Sequence, residues 1–168
     1  GLHLEGKLTE VFEQMKRRKV RTVAVAGEID DSLLLSPPEF EGAKDPHVWF
    51  DVTLWKKTVA IIRDSLVDLD PAHKEIYETQ STAYLEELSV LHAYVLAEAN
   101  KIPEAQRVLI TAHDAFNYFG RAYGFEVRGL QGISTAAEAG TGDVQDLVSF
   151  IAGRKIPAMF VESSVPKR

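Results

Sequence analysis

Arg107-Val108-Leu109-Ile110-Thr111-Ala112-His113-Asp114-Ala115-Phe116-Asn117-Tyr118-Phe119-Gly120-Arg121-Ala122-Tyr123-Gly124-Phe125-Glu126-Val127-Arg128-Gly129-Leu130 switches between two kinds of local order. Arg107 to Ala112 is a short apolar run and reads as a strand. Asp114 to Tyr123 reads as a helix closed by Gly124, and Phe125 to Leu130 as a second strand. Further on, Asp143 to Ala152 suits a helix closed by Gly153, and Ile156 to Val161 a third strand. This βαβαβ order predicts a parallel, right-handed α/β layer. Such sheets gather ligands at the carboxyl ends of their strands. His113 is placed directly after one strand, and Glu162-Ser163-Ser164 directly after another.

Upstream, Leu4, Leu8, Val11, Phe12 and Met15 recur at three- and four-residue spacing, which predicts a helix over Leu2–Arg17. The basic cluster Lys16–Lys19 at its end suits the helix dipole. Val20 to Ala26 is a β-branched run closed by Gly27, and so a predicted strand. Glu28 to Lys44, with Pro37, Pro38 and Gly42, reads as a loop. It delivers the chain to Asp45-Pro46-His47-Val48-Trp49-Phe50-Asp51. There a histidine lies between a proline-stiffened turn and two aromatic residues that can pack behind it. Asp51 is placed to cap a helix ending near Asp68, and Asp70-Pro71 restarts another. No glycine or proline then interrupts the chain up to Asn100. About 30 helical residues make a rod of roughly 45 Å, more naturally a strut between two lobes than a helix inside one.

Composition narrows the function. The 168 residues carry 19 basic and 25 acidic side chains, a net charge of −6. That balance argues against a nucleic-acid groove or an anionic-membrane anchor. No stretch approaches the roughly 18 apolar residues of a transmembrane helix. Zero cysteines excludes thiolate metal sites and thiol catalysis, leaving imidazole and carboxylate as ligands. Both ends read as cut, because an α/β domain normally continues past such a final strand with another helix.

Of the five histidines, His73 and His92 fall on the long helix and read as surface residues, and His3 has no partner at helical spacing. His47 and His113 both occupy turns entering helices. Each is open to two readings, a metal ligand or a structural hydrogen-bonding group. Two imidazoles make only half of a tetrahedral zinc site. The candidate carboxylates are Asp45, Asp114 and Glu162, the first two as acceptors that orient imidazole. Glu162-Ser163-Ser164 lacks the G-x-S-x-G surroundings of a nucleophile elbow, and Gly140-Thr141-Gly142 lacks phosphate-loop spacing.

Three ordered segments, Asp45–Asp51, Thr111–Phe119 and Phe160–Ser164, resemble the zinc- and manganese-binding solute-binding proteins of bacterial ABC transporters. Tyr123–Val127 followed by Gly129-Leu130-Gln131-Gly132 fits the same pattern. The resemblance implies two lobes of parallel sheet with flanking helices, bridged by one long helix and here truncated at both ends. The expected division is 1–52 as the remainder of the N-terminal lobe, 53–102 as connecting helices and 103–168 as the first half of the C-terminal lobe. It implies His47 and His113 as two of four metal ligands, the other two lying outside this chain. Retention of His113, where manganese-selective members commonly carry glutamate, leans towards Zn²⁺ over Mn²⁺.

The function so implied is capture of that ion and delivery to an ABC permease by a periplasmic or extracellular, surface-anchored lipoprotein, not an enzyme. The chain alone is expected to bind metal weakly or not at all. The alternatives are a zinc-dependent hydrolase with an open metal site and Glu162 as base, or an adhesin on the same fold.

Overall fold

A computed structural model of the chain describes residues 2, 8–38, 42–131, 140–154, 156 and 158–160. Its helices and strands are α1 (Leu8–Arg17), α2 (Val52–Leu69), α3 (Lys74–Asn100), β1 (Val108–His113), α4 (Asn117–Tyr123), β2 (Glu126–Gln131) and α5 (Thr141–Arg154). The fold is a helix-rich α/β arrangement with a small parallel sheet and one long helix. No described helix is long and apolar enough to cross a membrane.

The predicted βαβ unit is present. β1 and β2 pair in parallel with Val108 opposite Glu126 and His113 opposite Gln131, and α4 makes the crossover between them. Gly124 ends α4 at φ +74°, and both Gly124 and Phe125 donate backbone N–H groups to the Gly120 carbonyl at 2.9 and 3.0 Å. A side chain would strain that left-handed position, which is why the helix stops where the glycine stands. β1 runs one residue further than predicted, so His113 is the last strand residue. α4 starts three residues later than predicted, because Ala115 N–H bonds the His113 carbonyl at 3.1 Å and makes a turn of Asp114–Phe116.

Of the predicted third strand the description covers residues 156 and 158–160, where Phe160 forms a single parallel bridge to Thr111, its N–H on the Ile110 carbonyl at 2.8 Å. Val161 onwards lies outside the described residues. α5 runs through Gly153 to Arg154, so that glycine does not close it.

The predicted strand over Val20–Ala26 is not found. Residues 20–24 carry no regular structure, and Val25–Glu28 form a 3₁₀ turn. β-branched residues favour a pleated, half-buried surface, but a strand exists only where a neighbour takes up its backbone groups. No described segment pairs with this one. The first predicted helix is described from Leu8; residues 3–7 lie outside the description.

α2 and α3 form a helical hairpin. Asp51 caps α2 as predicted, its carboxylate accepting from Thr53 N at 2.9 Å and Thr53 Oγ1 at 2.6 Å. Pro71 opens a 3₁₀ turn before α3, yet Asp70 spends its carboxylate chiefly on His73 Nδ1 (2.7 Å) and the Tyr77 hydroxyl (3.0 Å). These two bonds hold its pKa below the ordinary carboxylate value, the His73 bond being the larger cause.

At 27 residues α3 is about 40 Å long. Ser81, Leu85, Leu88, His92, Val95 and Ala99 form its inward face, with alternating four- and three-residue spacing. His92 therefore is not a surface residue: it is half-buried, its Nδ1 3.2 Å from the Tyr123 hydroxyl. One apolar cluster joins Val52 and Val59 of α2, Leu88 and Ala99 of α3 and Tyr123 of α4. A second gathers Ala26, Ile29, Leu34, Val48 and Leu54 around Tyr118. α4 thus contributes one tyrosine to each core, and this wedge position brings the two histidine segments together.

Candidate metal centre

Asp45 and His47 sit in the turn that enters α2. Asp45, Pro46, His47 and Val48 are all buried. A 3₁₀ turn over Val48–Phe50 follows, with Phe50 N–H on the His47 carbonyl at 3.3 Å. Asp45 Oδ1 accepts the backbone N–H of His47 at 2.9 Å and lies 2.8 Å from His47 Nδ1. The short Asx-type turn that proline permits therefore places a carboxylate against its own imidazole. An ionised carboxylate only accepts, so Nδ1 carries the proton and Nε2 keeps a lone pair. In that tautomer Nε2 can bind a metal, with an outer carboxylate fixing the ring. Asp45 thus stands against an imidazole, where the sequence reading places an acceptor.

The aromatic pair divides its work. Trp49 meets the His47 ring edge-on at 5.3 Å, whereas Phe50 packs on Phe116 at 4.1 Å. Phe116 lies three residues beyond His113, so the second contact fastens one histidine segment to the other. His113 is half-buried at the carboxyl end of β1, with its Nδ1 atom buried. Its ring centroid stands 5.7 Å from that of His47, with the planes at 63°. Two imidazoles sharing one zinc at ~2.0–2.1 Å in tetrahedral geometry have centroids about 5 Å apart. The two histidines, 66 positions apart in sequence, are close to that separation.

The turn after His113 is held by backbone proximity. A Cβ added at Gly129 would stand 2.7 Å from both Cα and N of Asp114. Only glycine lets β2 pass this close to the His113–Asp114 peptide. Asp114, the second predicted orienting carboxylate, is half-buried in this turn.

α4 supplies residues that reading the sequence did not single out. Asn117 Nδ2 donates to Asp45 Oδ2 at 3.2 Å. The Tyr118 hydroxyl donates to the Asp45 carbonyl at 2.9 Å and accepts from Leu35 N at 3.0 Å. Burial pushes the pKa of that hydroxyl up from the ordinary tyrosine value. Arg121 Nη1 donates to the Leu33 carbonyl at 2.8 Å, and its Nη2 lies 3.5 Å from Asp51 Oδ2. These bonds span 70 to 88 positions, and no local pattern announces such partners. The one available signal is that Asn117 and Tyr118 stand within helical reach of His113.

The candidate carboxylate Glu162 lies outside the described residues, as does His3, which the sequence reading set aside. Among the described residues, no group of three or more histidine, aspartate or glutamate side chains is placed to hold a metal. The arrangement is a pair of imidazoles, one with its tautomer set by a buried carboxylate.

The family of zinc-uptake complex component A, periplasmic, matches residues 1–168. The zinc-binding protein TroA of Treponema pallidum (strain Nichols) is 50% identical over 168 residues, covering 100% of this chain and 54% of that protein. The manganese-binding lipoprotein MntA of Bacillus subtilis (strain 168) is 43% identical over 169 residues, again with 100% and 54% covered. A solved structure of the periplasmic zinc-binding protein TroA from Treponema pallidum superposes with a TM-score of 0.92 at 51% identity, covering 99% of this chain and 59% of that one. The chain spans about half the length of the curated relatives it matches.

Proposed function

Since the chain belongs to the family of periplasmic zinc-uptake components, we propose that it forms part of a protein that captures a divalent transition metal for an ABC importer. The ion is bound between the loops of His47 and His113, with Zn²⁺ favoured over Mn²⁺. The observation that carries this is the 5.7 Å approach of the two imidazole rings, one of them already oriented by Asp45. Imidazole is a borderline-soft ligand that suits zinc, while carboxylate and water suit harder ions. A site with two imidazoles therefore leans towards zinc.

His47 and His113 supply half of a four-coordinate shell, and the remaining ligands come from elsewhere in the whole protein. Four protein ligands would close the shell, which suits carriage and leaves no position for a reacting water. That favours transport over hydrolysis, as do the metal-binding names of the relatives. Residues 1–52 belong to the N-terminal lobe and 103–168 form the first half of the C-terminal lobe, with 53–102, including α3, as the connection between them. The whole protein works outside the cytoplasmic membrane as a surface-anchored lipoprotein and passes its ion to a permease.

Calorimetric titration of the full-length protein tests the reading. Zinc binding near 1:1 is expected, with His47→Ala and His113→Ala each weakening it about a hundredfold. A structural zinc site contributes roughly 10–16 kcal/mol over four ligands, or about 3 kcal/mol for each. Undiminished affinity in both variants would overturn the assignment.

A further inference from the structure

We propose that Asn117 is a positioning residue of this site: acting through Asp45, it fixes the ring of His47 and so governs how long the ion is held. The inference rests on the reading of His47 as a ligand.

Asn117 is the first residue of α4, four positions after His113. Its amide donates to Asp45 Oδ2 at 3.2 Å, while Asp45 Oδ1 receives both the backbone N–H and Nδ1 of His47. Asp45 is 0% exposed, so protein groups must satisfy its carboxylate. A carboxylate held at one oxygen can still turn about its Cβ–Cγ bond. Held at both, its plane is set, and with it the direction in which Nδ1 of His47 must point. Asn117 therefore determines the orientation of a ring it does not itself bond.

The rest of α4 explains why the amide arrives there. Tyr118 and Arg121 bind the main chain at Leu33, Leu35 and Asp45, which presses the first turn of α4 against the His47 loop. Those bonds hold backbone. Asn117 is the α4 side chain that bonds the carboxylate touching His47. The His113 end of β1 and the ring of His47 are joined in this way through one amide and one carboxylate.

The test uses the full-length protein with Asn117→Ala and Asn117→Leu, the second of similar bulk and without a donor. Zinc release into excess chelator is followed by stopped flow, and the His47 ring nitrogens of metal-free protein by ¹⁵N NMR. Release at least about tenfold faster is expected, the lower end of what outer-shell partners contribute. In the metal-free variants His47 should pass from a single Nδ1–H tautomer to a mixture. In an Asp45→Ala background, Asn117→Ala should change release no further, since its route to His47 is gone.

A folded variant with wild-type release and an unchanged tautomer overturns the proposal. So does a full effect that survives in the Asp45→Ala background. If wild-type protein holds no zinc, the functional reading fails instead, and the tautomer measurement still judges Asn117.

Discussion

Asp45 and His47 are joined twice through one oxygen: Oδ1 of Asp45 accepts the His47 backbone N–H at 2.9 Å and lies 2.8 Å from Nδ1 of the same residue. The first bond shapes the turn and the second chooses the tautomer. A single buried carboxylate thereby serves local folding and metal chemistry together.

Asp45→Asn separates these duties. The amide keeps the shape and an acceptor oxygen, but loses the charge that holds Nδ1–H. Zinc affinity of the full-length protein is expected to fall about 10- to 100-fold, the range for outer-shell partners. Competition with a chelator of known affinity measures it; a change below twofold would contradict the role.

His113→Glu alters selectivity. Exchanging imidazole for a carboxylate moves the ligand set towards harder ions. The ratio of zinc to manganese affinity is expected to shift in favour of manganese while total binding persists. Parallel titrations with both metals check the ratio, and an unchanged ratio would detach His113 from the ion.

Tyr118→Phe removes a hydroxyl that both donates and accepts at the α4 contact. The cost is expected to be about 1–3 kcal/mol, because the Leu35 N–H and the Asp45 carbonyl lose their partner. Urea denaturation monitored by circular dichroism reports it.

The same residue sets an alkaline limit. Burial raises the folded-state pKa of Tyr118, and likewise that of Tyr123. The native state therefore holds these protons more tightly than the unfolded chain, which titrates at about 10. Their contribution is fully present below that pH and is lost as pH rises through the folded-state values. Melting temperature should decline above about pH 10, and Tyr118→Phe should make the decline shallower.

Gly129→Ala drives a methyl group into the Asp114 backbone at 2.7 Å, where no flexible side chain can yield. Overpacking of this kind costs about 1–3 kcal/mol. Because the displaced peptide carries His113, zinc affinity should fall alongside stability. Native affinity in a folded variant would show that the β2 contact does not hold the histidine.

Much of this molecule could be read locally. The Asp51 cap, the Pro71 restart, the uninterrupted α3 and the Gly124 stop all depend on groups within a few residues of one another, and each is present. The strand over Val20–Ala26 is absent because pairing depends on a partner elsewhere in the chain, which propensity does not report. His92 was misplaced for a related reason. Nothing local says which face of α3 packs against α2 and α4, and the structure selects the one running through Ser81, Leu88 and Ala99, on which His92 lies.

The sequence by itself determined the parallel βαβ unit, the helix boundaries at Asp51 and Gly124, and the two motifs that present His47 and His113. Their spacing and composition carry that information, because each rests on backbone torsions and contacts within one or two turns. Only the tertiary structure decided that the two rings stand 5.7 Å apart and that Asn117, Tyr118 and Arg121 brace the Asp45–His47 turn from 70 or more positions away. Those relations arise when α4 wedges between two apolar cores with a tyrosine in each. Burial chooses the wedge, and the hydrogen bonds then form between whatever polar groups it brings within reach.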